Sequence, residues 1–175
     1  AVFLLLIAAA AAILYLYVFQ PMNNQKLYNQ LVLLYNVNNP SVTESELEDA
    51  PDGMLSQFNA LYARNSDVRG WLKIDGTNIN YPVMSGTNDD YYRTHNFDRQ
   101  STIYGVPYFD ADAALVSAQS VNRSLVIYGN NVGSGQMFTD LTRYYDDLAF
   151  LKEHPVIEMN TIYHNAKWKV FSVMV

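Results

Sequence analysis

The chain begins with an uninterrupted apolar run, and charged residues appear only after it. Residues 1–19 contain no charge, and a helix rising 1.5 Å per residue over that length would measure roughly 28 Å, close to the hydrocarbon thickness of a bilayer. Tyr15, Tyr17 and Phe19 stand at its end, where aromatic rings favour the membrane interface, and Pro21 follows. The pattern predicts a single membrane-spanning anchor over residues 1–19. A cleaved signal peptide and a buried helix of a larger assembly are the alternatives.

Two helical patterns follow the apolar run. Leu27, Leu31 and Leu34 recur at helical spacing and predict a stalk helix, which an Asn-Asn-Pro sequence stops. An acidic, turn-rich linker comes next, and residues 54–62 then place apolar side chains on one helical face. Residues 20–66 are therefore predicted to form a stalk, a linker and a helix that packs on the domain beyond.

From residue 67 onward the hydrophobic period shortens to that of β-structure. Short runs rich in β-branched and aromatic residues alternate with turns and predict strands at 71–74, 79–83, 103–109, 124–128, 155–159 and 167–175. Residues 88–93 and 137–151 fit short helices that are too short for a regular βαβ alternation. The pattern predicts a mostly β domain over residues 67–175, a closed or partly open barrel with short helices.

The last apolar run continues to Val175 with no turn residue or charge to finish it. A sheet edge without a neighbour exposes unpaired backbone N–H and C=O groups, which proteins usually protect. We therefore expect further strands, C-terminal to residue 175, to complete the barrel.

Composition and charge restrict the chemistry of these residues. A net charge of −6 offers no basic face to a phosphate backbone, so no nucleic-acid partner is predicted. The absence of cysteine excludes disulfides, Cys-ligated metals and a thiol nucleophile within this sequence. The three histidines lack the spacing of a zinc site, and the segment from Asp110 to Asp112 lacks the later glycine and glutamate of a calcium loop. No metal or cofactor is predicted.

Four sequence segments, taken in order and spacing, resemble class B sortases. They are 70–83 (GWLKIDGTNINYPV), 88–92 (NDDYY), 127–131 (IYGNN) and 135–138 (GQMF), so the likeness extends over most of residues 67–175. The resemblance implies an eight-stranded sortase β-barrel. In Gram-positive bacteria, such a barrel cuts a sorting signal and joins the carboxyl end of a surface protein to a cell-wall amine. The family does this with a Cys nucleophile, a His and an Arg.

The resemblance also identifies candidate site residues. The family's Tyr-Gly-His-Asn motif reads Tyr-Gly-Asn-Asn here, so Asn130 takes the histidine position, and an amide has no nitrogen that titrates near neutral pH. The family's Cys and Arg lie on later strands and have no counterpart in these residues. Asp89 and Arg93 stand where the family has Asn and Leu, and Arg93 places a charge where an apolar contact with the sorting signal is implied. Asp89, Arg93 and Asn131 are the predicted substrate-binding residues.

Three functional interpretations stay open at this point. The chain is a piece of a longer class B sortase, a non-catalytic sortase-like module that binds peptide or scaffolds a surface complex, or a remnant that cannot fold alone. In all three, these residues by themselves are expected to be inactive. The resemblance implies a cell-membrane protein with its domain on the extracellular face. Its implied partners are the lipid bilayer, a sorting-signal peptide and a peptidoglycan amine.

Overall fold

The structure is a computed structural model that describes residues 2–36, 42–85, 90–110, 118–119 and 124–174. Helix α1 (Val2–Leu14), a π-helical turn (Tyr15–Phe19) and helix α2 (Gln20–Asn36) join into one helix of 35 residues. No side chain of α1 is buried, and the helix is long and apolar enough to cross a membrane. Length and composition alone also suit a signal sequence near the N-terminus.

The helix runs through Pro21 without ending, whereas the sequence pattern predicted an anchor and a stalk as two segments. Proline has no N–H to donate to the carbonyl four residues earlier and normally breaks or kinks a helix. Here the turn just before it is widened, and the Gln20 N–H donates to the Tyr15 carbonyl oxygen five residues back. The wider turn changes the hydrogen-bonding pattern just before the proline, so the segments predicted as anchor and stalk form one continuous helix.

Helix α2 is part of the domain core. It buries Leu27, Tyr28 and Leu31, whereas the spacing of the leucines predicted only a stalk helix. The Tyr28 hydroxyl donates to the Gly105 carbonyl oxygen at 2.9 Å, and its ring meets the Tyr81 ring edge-on with centroids 4.8 Å apart. Helix α2 is therefore fixed to the domain by direct packing.

Six strands form one sheet in the described residues. They are β1 (Val68–Ile74), β2 (Asn80–Met84), β3 (Tyr108–Phe109), β4 (Ile127–Tyr128), β5 (Val156–Thr161) and β6 (Lys167–Lys169). Their order is β4-β3-β2-β1-β5-β6, and all neighbours are antiparallel except β2 and β3. The predicted mostly β domain, with a mostly antiparallel and partly open sheet, is confirmed.

Strands β3, β4 and β6 are shorter than their sequence patterns predicted. In the segment 103–109, Gly105 adopts φ +60°, which is outside the β region, and strand pairing begins only at Tyr108. An apolar cavity of about 270 Å³ lies between the two edges of the curled sheet, with Ile127 of β4 and Trp168 of β6 in its lining. Apolar run length alone therefore overestimates the paired residues near these edges.

Short helices flank the sheet. They are α3 (Asn59–Arg64), α4 (Tyr91–Thr94), α5 (Thr142–Asp146) and α6 (Leu148–Glu153), with 3-10 turns at Glu44–Leu47, Ser56–Phe58 and Thr139–Leu141. The segment predicted as one helix over 137–151 is divided because Asp147 is extended. Its carboxylate accepts the N–H groups of Ala149 and Phe150 at 2.8 and 3.1 Å and caps α6.

Buried tyrosines make the fold sensitive to high pH. Burial is the main cause that raises the pKa of Tyr81 and of Tyr92 to about 12, from an ordinary value of 10.0. Above pH 10 the unfolded chain loses these protons while the folded chain retains them, so the free energy of unfolding falls as pH rises. Below pH 10 both states are protonated and this contribution is fully present.

We therefore expect the urea midpoint of the full chain in detergent micelles to fall steadily between pH 10 and pH 12. Circular dichroism at a series of pH values measures it, and the Tyr92→Phe variant should lose part of the slope. An unchanged midpoint over that interval would contradict the burial of these hydroxyls.

Candidate functional site

An open cleft of about 560 Å³ lies where β3, β4 and α4 meet. Strand β4 ends just before Gly129, and Asp110 directly follows β3, which pairs antiparallel with β4. Helix α4 supplies Arg93 from the other side. The lining consists of polar and aromatic residues: Asp90, Arg93, Tyr108, Asp110, Tyr128, Gly129, Asn130 and Asn131.

Asn130 links the end of β4 to the α4 region. Its side-chain amide donates to the carbonyl oxygens of Arg93 at 2.8 Å and Ile103 at 3.1 Å, and its own carbonyl oxygen accepts the Phe138 N–H at 3.0 Å. An asparagine amide has two N–H donors, and both are used here. The Asn130 side chain therefore holds two backbone segments together, and it has no group that titrates near neutral pH.

Close packing at Gly129 helps to place Asn130. A Cβ atom on Gly129 would lie 2.5 Å from atoms of the Phe138 ring, which is closer than side chains tolerate. The residue before Asn130 must therefore lack a side chain for Phe138 to cover this turn.

The cleft carries charges of both signs. The Arg93 guanidinium lies 3.8 Å from an Asp90 carboxylate oxygen, and both side chains are mostly exposed, so this ion pair stabilises the fold little. On the opposite wall the Tyr128 hydroxyl donates to Asp110 Oδ2 at 2.8 Å. Amide groups and carboxylate oxygens suit the polar main chain of an extended peptide.

A partly buried hydrogen-bond network holds α4 in place. The Tyr92 hydroxyl donates to Asp67 Oδ2 at 2.7 Å and accepts from Asn65 Nδ2 at 3.1 Å. The Arg99 guanidinium donates to the same Asp67 oxygen and to Asn65 Oδ1. Because Tyr92 immediately precedes Arg93, this network fixes the backbone from which Arg93 reaches the cleft.

The structure brings three of the sequence-predicted positions together, since Arg93, Asn130 and Asn131 line one cleft. Asp89 lies outside the described residues, although its neighbour Asp90 is in the lining. Sequence reasoning missed Asp110 as a site residue and considered it only for a calcium loop. Pairing the predicted strands 103–109 and 124–128 antiparallel would have placed it beside the Tyr-Gly-Asn-Asn motif.

None of the three histidines lines this cleft. His95 stacks on Tyr91, with ring centroids 4.1 Å apart, and its Nδ1 lies 2.9 Å from the Tyr91 carbonyl oxygen. His154 packs on Phe150, and the backbone N–H of His164 donates to Thr161 Oγ1. Within the described ranges, no group of three or more His, Asp or Glu side chains is arranged to hold a metal ion.

The curated proteins and solved structures that are similar to this chain include several sortase B proteins. No protein-family model matches the chain. It is 33% identical to sortase B of Staphylococcus aureus over 116 residues, which cover 66% of this chain and 46% of that protein. It is 32% identical to sortase B of Listeria monocytogenes over 117 residues, which cover 67% and 46%. The chain thus spans about half the length of the curated relatives it matches.

Solved sortase B structures share the fold. The Bacillus anthracis enzyme in complex with AAEK1 has a TM-score of 0.74 at 25% identity, covering 88% of this chain and 68% of that one. The Staphylococcus aureus sortase B–substrate complex has a TM-score of 0.72 at 26% identity, covering 88% and 66%. A sortase B complexed with triglycine has a TM-score of 0.70 at 26% identity, covering 87% and 65%.

The fold of this chain is therefore that of a sortase. Within that class, the sequence and structural similarities both support a relationship to class B sortases.

Proposed function

We propose that this chain is a class B sortase-like membrane protein whose cleft at Asn130 holds an extended peptide of the sorting-signal class. The observation that carries the proposal is that Asn130 and Asn131 line one polar cleft in a sortase fold. The similar proteins include a sortase B solved with its substrate and one solved with triglycine. By that similarity, the partners of this chain are a sorting-signal peptide and a peptidoglycan amine.

The same cleft binds the peptide without cutting it. The family's reaction requires a thiolate that attacks the scissile carbonyl and an imidazole that transfers protons. These 175 residues contain no cysteine, and Asn130 uses both of its amide hydrogens on main-chain carbonyls. General acid–base catalysis alone commonly contributes about 10²- to 10⁴-fold in rate. We therefore expect these residues to bind the peptide but neither to cleave it nor to join it to an amine.

The long N-terminal helix anchors this domain at the cell membrane, with the domain on the extracellular face. Its first half is fully exposed and apolar, and its second half is packed into the domain. Because the helix is continuous, the cleft stands at a fixed distance from the membrane surface. Sorting signals and peptidoglycan amines are presented at that surface, according to the resemblance.

The binding test uses the full chain in lipid nanodiscs. The substrate of Staphylococcus aureus sortase B is made as a fluorescein-labelled peptide, and its fluorescence anisotropy is followed against protein concentration. We expect saturable binding that Asn131→Ala weakens by about two- to tenfold, as for the loss of one hydrogen bond. A scrambled peptide that binds equally well would contradict a specific cleft.

Arg93 is expected to weaken the binding of the labelled peptide. Its charge stands where the resemblance implies an apolar contact, so Arg93→Leu should raise the affinity for the labelled peptide by about five- to tenfold through apolar burial. Lys152→Leu is the matched control, because Lys152 is an exposed cation in α6 away from the cleft lining. If both substitutions change the affinity alike, general charge and not the cleft determines binding.

A further inference from the structure

A second polar cleft lies at the base of the domain, between α2 and the loop 96–102. We call it the juxtamembrane cleft; its volume is about 340 Å³. Tyr15, from the apolar part of the long helix, contributes to its lining alongside Gln20. Its remaining lining is mostly polar and includes Lys26 of α2 and Asp98 of the loop. The cleft therefore opens at the level where the helix changes from apolar to polar.

The charges of the juxtamembrane cleft leave one cation available. Asp98 is already paired, since the Arg64 guanidinium donates to both of its carboxylate oxygens at 2.8 and 2.6 Å. Lys26, in contrast, makes no ion pair within the described part of the chain and is exposed. An anionic group that enters the cleft would therefore meet an unneutralised ammonium group.

A buried acceptor in the lining lacks its donor. Gln20 Oε1 is buried and has no hydrogen-bond partner among the described residues. A buried acceptor left without a partner costs about 1–3 kcal/mol, and most such groups in proteins are satisfied by protein, water or ligand. A ligand that carries an O–H or N–H donor would remove this cost.

We propose that the juxtamembrane cleft binds the head group of an anionic glycerophospholipid whose alcohol carries hydroxyl groups. Lys26 pairs with the phosphate, and a hydroxyl of the head group donates to Gln20 Oε1. The remaining amides and hydroxyls of the lining hydrogen-bond the other head-group oxygens. The cleft volume falls within the ordinary range for small-ligand sites.

The position of the cleft favours a lipid over a free phosphate ester. Tyr15 belongs to the helical stretch that carries the apolar anchor, and the side chains of α1 beyond it are exposed along their whole length. Acyl chains attached to a head group in the cleft would therefore continue along an apolar surface. This inference rests on the proposed membrane anchor but is independent of peptide binding at Asn130.

The test places the full chain in nanodiscs containing equal amounts of phosphatidylglycerol, phosphatidic acid and phosphatidylcholine. Native mass spectrometry then counts the lipids that stay bound after release. We expect one phosphatidylglycerol per chain, retained over phosphatidylcholine by about fivefold for the single charge contact. Phosphatidic acid, which lacks the head-group alcohol, should be retained less than phosphatidylglycerol.

Variants test each contact separately. Lys26→Gln should weaken retention of phosphatidylglycerol by about fivefold, and Gln20→Met by about two- to tenfold, whereas the matched control Lys152→Gln should leave it unchanged. Equal retention of the three lipids, or no effect of Lys26→Gln, would overturn the proposal. Full displacement by soluble glycerophosphoglycerol at matched concentration would assign the cleft to a free ester and also overturn it. A chain that does not enter nanodiscs would refute the proposed anchor itself.

Discussion

Replacing Gly105 by alanine is expected to lower the free energy of unfolding by about 2–5 kcal/mol. Gly105 adopts φ +60°, where a residue with a Cβ atom is strained by roughly 1–2 kcal/mol. The added Cβ would also lie 2.6 Å from the carbonyl oxygens of Tyr92 and Arg93, and such overpacking typically costs about 1–3 kcal/mol more. Both carbonyls belong to α4, so the substitution displaces this helix.

Gly133→Ala is the matched control for this prediction. Gly133 has nearly the same backbone angle, φ +65°, but nothing lies within 4 Å of the Cβ that would be added. It should therefore show only the conformational cost, about 1–2 kcal/mol. Urea unfolding of the full chain in detergent micelles, followed by circular dichroism, measures both variants. Equal losses would mean that α4 is not packed against Gly105.

Replacing Trp71 by alanine is expected to cost about 3–5 kcal/mol, the usual range for removing a large aromatic side chain from a core. Trp71 lies on β1 and is only 2% exposed. Its ring stacks on Tyr35 of α2 with centroids 4.3 Å apart, and its Nε1–H donates to Asn80 Oδ1 at 2.7 Å. The substitution therefore removes a contact between the long helix and the sheet as well as core volume.

Trp168, the second tryptophan of the chain, provides the comparison. It lies on the edge strand β6 and is 40% exposed, so Trp168→Ala should cost only about 1 kcal/mol. The same unfolding experiment by circular dichroism reports on both variants. A loss at Trp168 as large as that at Trp71 would show that the core is centred between the sheet edges and not between β1 and α2.

The central hairpin could be predicted from the sequence because its signals are local. Alternating apolar residues on both sides of Asp75-Gly76 predicted β1 and β2, and the two strands pair with Trp71 opposite Pro82 and Leu72 opposite Tyr81. The continuous passage of the long helix through Pro21 could not be predicted in this way. It depends on a rearranged turn of backbone hydrogen bonds, to which no residue pattern corresponds.

In the candidate site, too, some features could be predicted from the sequence and others could not. The motif at Asn130 and the positions of Arg93 and Asn131 followed from the resemblance, since motif residues keep their order along the chain. The hydrogen bonds from Asn130 to the carbonyl oxygens of Arg93 and Ile103 join residues 37 and 27 positions apart in sequence. Main-chain acceptors have no residue signature, so such a link emerges only once the chain is folded. The predicted division at residues 19 and 66 stays a prediction.

The most direct measurement mixes the purified full chain in nanodiscs with the labelled sorting-signal peptide and triglycine. Intact-protein mass spectrometry then detects any acyl adduct, and chromatography detects any peptide joined to triglycine. We predict saturable peptide binding with neither adduct nor transfer product, because the proposed site has the amide of Asn130 where the resemblance implies an imidazole, and these 175 residues contain no thiol. A covalent peptide adduct on this chain, or turnover to the triglycine product, would contradict a binding-only cleft.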